Sequence, residues 1–344
     1  MNECNILIIG PAWIGDMIMS QSLYKLLKQK NLSVNIDVLA PEWTWPLLKC
    51  MPEVREPLLM TLKHGELNLS ERYRIGQMLR ARHYTQAIIL PNSWKSALIP
   101  WMARITKRTG WRGEARYGLI NDLRVLDKKQ YPLMVEQNLA LGLVRGASLP
   151  EQYEYPQLKV TNEQVMQVLA KFSLSQQQVV GRKILALCPG SQYGDAKNWP
   201  AEHFAEVAKS KIKEDWDIWL FGAQGDTSSG EKIQQATQNR CTNFIGKTQL
   251  EDVISLISLS KMVISNDSGL MHVAAALNIP LIAIYGSSSP QFTPPLSHHK
   301  KILSLHLACS PCFKRQCPYG HYRCLKELKP QIVLEAMNDL MEIA

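Results

Sequence analysis

The run Met262-Val263-Ile264-Ser265-Asn266-Asp267-Ser268-Gly269-Leu270-Met271-His272-Val273-Ala274-Ala275-Ala276-Leu277-Asn278-Ile279-Pro280-Leu281-Ile282-Ala283-Ile284-Tyr285-Gly286 decides the architecture of this chain. Met262 to Ile264 is a short apolar strand, Ser265 to Gly269 breaks it, and Leu270 to Leu277 resumes as a helix of small and apolar residues. Asn278-Ile279-Pro280 stops that helix, and Leu281 to Tyr285 is again a buried strand, so the run is one strand, loop, helix, strand unit. Asp267 or Ser268 is placed to cap the helix, and Gly269 lets the backbone approach a ligand closely. The first-turn amides then point outward with the positive end of the helix dipole behind them, an arrangement that favours a phosphate and that also describes a plain helix N-terminus.

Around this unit lie 344 residues, 46% hydrophobic, enough for a packed core and better suited to two domains than one. No apolar run reaches the roughly 18 residues of a membrane span, and the chain goes directly into a strand at Asn5 to Ile9 without a basic region and cleavage site, so a cytoplasmic protein is expected. The net charge of +9 calls for an acidic partner: nucleic acid, an anionic membrane surface or a phosphorylated substrate. Between Arg104 and Lys129 eight basic residues stand against three acidic ones, a local excess of five.

The strand and helix alternation of the opening unit recurs along the chain. Asn5–Ile9, Val34–Leu39, Ala87–Leu90 and Arg108–Trp111 read as strands, with helices over Met17–Lys28, Pro41–Cys50, Leu67–Arg82, Ser93–Ala103 and Pro132–Arg145. The chain then turns polar and proline-bearing from Ala147 to Lys159, and Thr161–Gln178 is a Gln-rich helix. Beyond it come strands Ile184–Cys188 and Ile218–Phe221, helices Pro200–Lys213, Ser228–Thr237 and Leu250–Ser260, and the opening unit. The expected fold class is α/β with two Rossmann-like doubly wound domains in series, a GT-B arrangement with the site in a cleft between facing strand ends. The expected divisions are residues 1–160, residues 161–325, and a terminal helical segment, 326–344, able to return to the N-terminal domain.

Several residues have the chemistry for a site. Gly10-Pro11-Ala12-Trp13-Ile14-Gly15-Asp16 follows the first strand like a phosphate loop but carries Asp16 where such a loop needs lysine, so nucleoside triphosphate hydrolysis is not expected of it. At a helix N-terminus the dipole holds Asp16 ionised, either as a cap or as a base able to accept a proton from a sugar hydroxyl. Cys188-Pro189-Gly190-Ser191 leaves a strand, and Lys197-Asn198-Trp199-Pro200 leads into the next helix, which puts Lys197 where an ammonium can neutralise a diphosphate leaving group. Phe221-Gly222-Ala223-Gln224-Gly225-Asp226 gives room for a base or ribose against Gln224 or Asp226. Asp215-Trp216-Asp217 is an Asp-x-Asp triplet at the start of a strand, not its exit, so no catalytic metal is expected there. Arginines interleaved with Trp111 and Tyr117 suit a nucleic-acid surface or the phosphates and carboxylates of a large anionic acceptor, and no zinc-finger, RNP or KH signature accompanies them. Cys309, Cys312, Cys317 and Cys324, with His321 among them, match either a structural Cys4 zinc site or four reduced thiols.

Six ordered stretches make the chain resemble the ADP-heptose:lipopolysaccharide heptosyltransferases of glycosyltransferase family 9: Gly10 to Asp16, Pro91-Asn92-Ser93-Trp94-Lys95-Ser96-Ala97-Leu98, Arg108-Thr109-Gly110-Trp111-Arg112-Gly113-Glu114, Arg116 to Asp122, Lys197 to Pro200, and Asn266 to Leu277. Within that family the Arg108 stretch and the Asn266 stretch resemble the transferase that adds the second heptose more than the first. The resemblance implies a GT-B, metal-independent, inverting transferase that moves heptose from ADP-heptose to the first heptose of the inner core on lipid A. It implies Asp16 as the base and a donor site of Ser191, Lys197, Gln224, Asp267, Ser268, Gly269 and His272. It further implies an acceptor site of Asn92, Lys95, Arg108, Arg112 and Arg116. No cofactor is required on this reading, the partners are ADP-heptose and a phosphorylated lipid A-core acceptor, contact with the cytoplasmic face of the inner membrane is peripheral, and nucleic acid is not a partner. The rival readings are another core heptosyltransferase, the first or third, and a basic nucleic-acid-binding protein.

Overall fold

A computed structural model describes residues 4–63 and 65–343. The chain divides into two compact units, Met1–Pro156 and Gln157–Ala344.

The first unit is built on strands β1 (Asn5–Ile9), β2 (Asn35–Ala40), β3 (Glu56–Leu59), β4 (Gln86–Ile89), β5 (Lys107–Trp111) and β6 (Asp122–Arg124). They pair in parallel in the order β3-β2-β1-β4-β5-β6, with Ile8 opposite both Val38 and Ile88. Near-continuous Ile, Leu and Val runs in β1, β2 and β4 follow from burial on both faces of a parallel sheet. The helix Ile14–Lys30 packs on the helix Met134–Gly142, and Gly142 makes that possible, since a Cβ there would stand 2.5 Å from Leu23 Cδ1. The helix expected from Leu67 begins at Leu69 because Asn68 adopts a left-handed conformation and its side chain accepts from the Glu71 amide as an N-cap. The expected Ser93–Ala103 helix is a short 3-10 turn, Trp94–Ala97, followed by a helix over Leu98–Met102.

The second unit repeats the plan with β7 (Lys183–Cys188), β8 (Trp216–Leu220), β9 (Cys241–Asn243), β10 (Met262–Asn266), β11 (Leu281–Ile284) and β12 (Lys300–Leu303), in the order β12-β11-β10-β7-β8-β9. Numbered within its own unit this is the same doubly wound order as the first sheet, so each unit has one switch point, between β1 and β4 and between β7 and β10. Two such units in one chain are the GT-B pattern. The helix Gly269–Ala276 is buried from Met271 to Ala276, and its alanines are what let it lie close to the sheet. The Thr161–Gln178 helix is in fact two, Asn162–Lys171 and Gln176–Val179, with a Thr161–Gln164 capping box on the first.

Two further differences from the sequence reading have clear causes. The strands β3, β6, β9 and β12, absent from that reading, are the four outer strands of the two sheets. Covered less completely than the central ones, they lack the long apolar runs by which central strands are recognised. The terminal helix Pro330–Ile343, allowed above to return to the N-terminal domain, instead sets Val333, Ala336, Met337 and Leu340 into the core of the second unit against the helix Ala201–Lys213. Its apolar stripe is already covered there, so it is not a separate third segment.

Candidate functional site

In the first unit, segments following the carboxyl ends of β1 to β6 line a cavity of about 600 Å³. Asp16 lines it from the first turn of the helix Ile14–Lys30, whose N-cap is Trp13, so the aspartate is not the cap. Asn92 and Lys95 line it from the loop after β4, and Trp13 and Trp43 stand at its rim, joined where Trp43 Nε1 donates to the Ala12 carbonyl at 3.0 Å. The sheet thus brings together Asp16, Asn92 and Lys95, which are far apart in sequence.

The three arginines assigned to acceptor binding are differently placed. Arg116 is 1% exposed. Its Nη1 donates to the Pro91 carbonyl at 2.7 Å and to Ser96 Oγ at 3.2 Å, and its Nη2 donates to the Trp111 carbonyl. Burial pushes that guanidinium down to about 10, still fully charged at neutral pH. Arg108, half-buried, donates to the carbonyls of Leu119 and Ile105, both at 2.6 Å. Both guanidiniums therefore tie the walls of the unit together, and neither residue lines the cavity. Arg112 is exposed and lies outside the lining. In their stead the cavity has Arg72, buried on the helix Leu69–Arg80, which donates to the carbonyls of Lys95 at 2.8 Å and Glu66 at 2.9 Å. The sequence reading missed Arg72 because an arginine inside an amphipathic helix looks like any solvated one. Gln137 and Asn138, also lining residues, were missed for the same reason.

In the second unit the loops after β7 and β10 converge. Lys197 Nζ forms an ion pair with Asp267 Oδ2 at 2.5 Å, and both side chains are largely buried. The same ammonium lies over the Tyr193 ring at 4.9 Å, a cation-π contact. Asp267 is thus committed to Lys197, and Ser268, at the N-cap, makes no side-chain cap hydrogen bond. The expectation that one of them caps the helix is not met. Asn266, which sequence reading did not single out, fixes this geometry: its Nδ2 donates to the Pro189 carbonyl at 2.6 Å and its Oδ1 accepts from the Trp199 amide at 3.0 Å. Buried, it holds both flanks of the Ser191–Lys197 loop to the end of β10. Its signal in sequence was a polar residue ending an apolar strand.

His272, in the first helical turn after this loop, is buried, and desolvation pushes it down to about 4 despite the opposing pull of Asp267. It is a neutral imidazole at neutral pH. Gln224 rests against Gly246, where a Cβ would stand 2.4 Å from Gln224 Oε1 and φ is +71°. The Asp226 carboxyl fills the space beside Gly190, accepts from the Ala223 amide at 2.8 Å, and is raised above the usual carboxylate range by burial.

The cysteine-bearing loop packs on this region: the Tyr193 hydroxyl donates to the Phe313 carbonyl at 2.8 Å, and the Ala196 amide donates to the Arg315 carbonyl at 3.1 Å. Among the described residues no group of three or more His, Cys, Asp or Glu is arranged to hold a metal ion, so the Cys4 geometry allowed by the spacing of Cys309, Cys312, Cys317 and Cys324 is not formed. All four are free thiols, and that of Cys324 is raised, first by burial and then by the other three. Asp215 and Asp217 pair with Arg182 at the start of β8, a structural use of the Asp-x-Asp triplet. Among the described residues no helix is long and apolar enough to cross a membrane.

The family profile described as glycosyltransferase family 9 (heptosyltransferase) matches residues 72–323. The chain belongs to that family. Lipopolysaccharide heptosyltransferase 2 of Salmonella typhimurium is 48% identical to this family member over 98% of both chains. Lipooligosaccharide heptosyltransferase 2 of Haemophilus influenzae is 44% identical over 98% of this chain and 99% of its own. The solved structure of E. coli ADP-heptose lipopolysaccharide heptosyltransferase II matches with a TM-score of 0.87 and 45% identity, covering 99% of this chain and 100% of that one. This family 9 glycosyltransferase is therefore similar along nearly its whole length to enzymes that bear the second heptosyltransferase's name.

Proposed function

We propose that this family 9 glycosyltransferase moves L-glycero-D-manno-heptose from ADP-heptose to the first heptose of the lipopolysaccharide inner core, on heptosyl-Kdo2-lipid A. The observation that carries the reading is the 48% identity over 98% of both chains to a lipopolysaccharide heptosyltransferase 2.

The reaction is a single inverting displacement. The acceptor hydroxyl oxygen forms a bond to the anomeric carbon, the bond from that carbon to the diphosphate oxygen breaks, ADP leaves with the electron pair, and the hydroxyl proton passes to Asp16. Asp16 stands in the first turn of the helix Ile14–Lys30 and lines the cavity, where it can accept that proton. Lys197 opposes the charge that grows on the diphosphate, and the open first turn at Gly269 supplies amides to it. Without donor, Asp267 satisfies the Lys197 ammonium; with donor bound, the diphosphate shares it. His272, being neutral, offers hydrogen bonding without adding charge. Ser191, Ser268, Gln224 and the Gly190 and Gly246 backbone complete the donor site; Asn92, Lys95 and Arg112 serve the acceptor, and Arg108 and Arg116 support it from behind. Transfer requires no metal or other cofactor, and the enzyme works as a peripheral protein at the cytoplasmic face of the inner membrane.

Mass spectrometry of a reaction containing ADP-heptose and a core acceptor with one heptose tests this: a product heavier by one heptose is expected. Transfer only to an acceptor without heptose, or only to one already carrying two, would reassign the chain to the first or third core transferase. Tight, salt-sensitive RNA retention on a filter with no ADP release would favour the nucleic-acid reading.

A further inference from the structure

The proposed acceptor is lipid-linked, and the rim of the first unit's cavity carries an unusual surface. Trp13 and Trp43 line the opening, and Trp94 directly follows the lining residues Pro91, Asn92 and Ser93. Leu67, Leu69 and Tyr73 continue from Trp94 along the start of the helix Leu69–Arg80, because Arg72 ties the Lys95 carbonyl to the Glu66 carbonyl. All six are exposed, from 39% at Leu67 to 54% at Tyr73. An isolated exposed apolar side chain needs no explanation, but three tryptophans, a tyrosine and two leucines bordering one opening do.

Positive charges stand beside them. Lys63 and Arg112 make no ion pair with a carboxylate among the described residues, while Lys95 Nζ donates to the Gly65 carbonyl at 2.5 Å. Three of the nearby acids are engaged: Glu71 pairs with Arg74, the Glu66 carboxylate accepts from the Lys63 amide and from Asn68, and Glu114 accepts from the Trp94 amide, while Glu42 beside Trp43 is an exposed acid on the same rim. Tryptophan and tyrosine favour the headgroup level of a bilayer, and lysine and arginine are drawn to an anionic leaflet. Nucleic acid would use the cations but gives no reason for exposed leucines.

We propose that this rim is the membrane-docking face of the enzyme: it seats on the interfacial region of an anionic phospholipid surface, with aromatic and leucine side chains inserted to headgroup depth and Lys63 and Arg112 on the phosphates. The cavity holding Asp16 then opens toward the surface from which the acceptor sugar projects. The inference rests on the functional reading above for its choice of a membrane, and its test is independent of turnover.

The test is co-sedimentation of the full chain, without donor or acceptor, with vesicles of phosphatidylcholine alone and of phosphatidylcholine containing phosphatidylglycerol. Binding to the anionic vesicles is expected, weakened by salt, and Leu69→Glu with Tyr73→Glu should lower it at least about tenfold, a loss of about 1.4 kcal/mol. Leu69 and Tyr73 are outside the cavity lining, so circular dichroism of the double variant should be unchanged, as should its turnover of a delipidated, water-soluble core oligosaccharide. Should the double variant be unfolded, Leu67→Ser with Trp94→Ser replaces it under the same criterion. Absence of wild-type binding to anionic vesicles, equal binding to neutral ones, or undiminished binding by the variants would overturn the proposal. So would concentration-dependent dimers, seen by sedimentation velocity, that the variants abolish, since the face would then belong to a second copy. Failure of transfer to every acceptor with vesicle binding intact would instead sink the functional reading alone.

Discussion

The two units share one strand order and place their chemistry at the same topological position, yet they build it in opposite ways. In the second unit the chemistry is contiguous: Asn266, Asp267, Ser268, Gly269 and His272 lie within seven residues, and a single buried asparagine clamps the partner loop that carries Lys197. In the first unit the cavity is assembled from segments after six strands, and Arg72 in the lining and Arg116 behind it donate to carbonyls of the wall. On the functional reading proposed above, a diphosphate is met by one loop and one helix end, because its charge is compact, and a branched lipid-linked sugar by a concave surface that takes many segments.

The comparison breaks most visibly at Asp16. Asp16→Ala should lower kcat about 10³-fold, within the range typical of a general base, while ADP-heptose affinity measured by calorimetry stays near wild type. A comparable loss of donor affinity would mean the first unit's carboxylate is not confined to the acceptor. Lys197→Ala comes next, with kcat down by about 10²-fold or more through loss of charge stabilisation, and with a loss of fold stability because the buried Asp267 carboxylate is left alone. Adding Asp267→Asn should restore the melting temperature and leave turnover low. If it restored turnover as well, the pair would be structural only.

The pH dependence of stability probes His272. Its folded value is depressed from the ordinary 6.5 to about 4, so the unfolded chain binds the extra proton first. The contribution is present above about pH 6.5 and is lost as pH falls toward 4, reaching about 3 kcal/mol if the whole shift is expressed. Urea titrations across that window should show His272→Gln flattening the acid limb, whereas an unchanged limb would assign the acid sensitivity elsewhere. The arginines give the smallest and most discriminating effects. Arg116→Met should cost about 1 to 3 kcal/mol of stability by freeing buried carbonyls, with KM changes following from that. Arg112→Ala should leave stability within about 0.5 kcal/mol and raise acceptor KM only a few-fold, as expected of an exposed cation. The reverse pattern, measured by thermal melts and initial rates, would exchange the two roles.

How much was legible beforehand follows the same division. The Asn266 to Leu277 run, the Gly10 to Asp16 loop and the Lys197 to Pro200 approach were readable because each carries its meaning in adjacent residues. Arg108 and Arg116 were read as ligand-facing from their arginine and tryptophan company, and the fold turned them inward, since a guanidinium with five donors serves a carbonyl-rich wall as readily as a phosphate. Arg72 was invisible for the converse reason. The cysteine spacing suggested a cage, but spacing fixes only the reach of the chain, and among the described residues the four thiols are not arranged to hold a metal ion.

The sequence by itself determined the alternation of strands and helices, the two-unit plan and the phosphate-type loops, because periodicity, glycine and proline punctuation and helix ends are local properties of the chain. Only the tertiary structure decided which strands lie at the sheet edges, where the last helix packs and which polar side chains face a ligand, not a carbonyl. Those outcomes depend on what covers each surface, and coverage comes from residues distant in the chain.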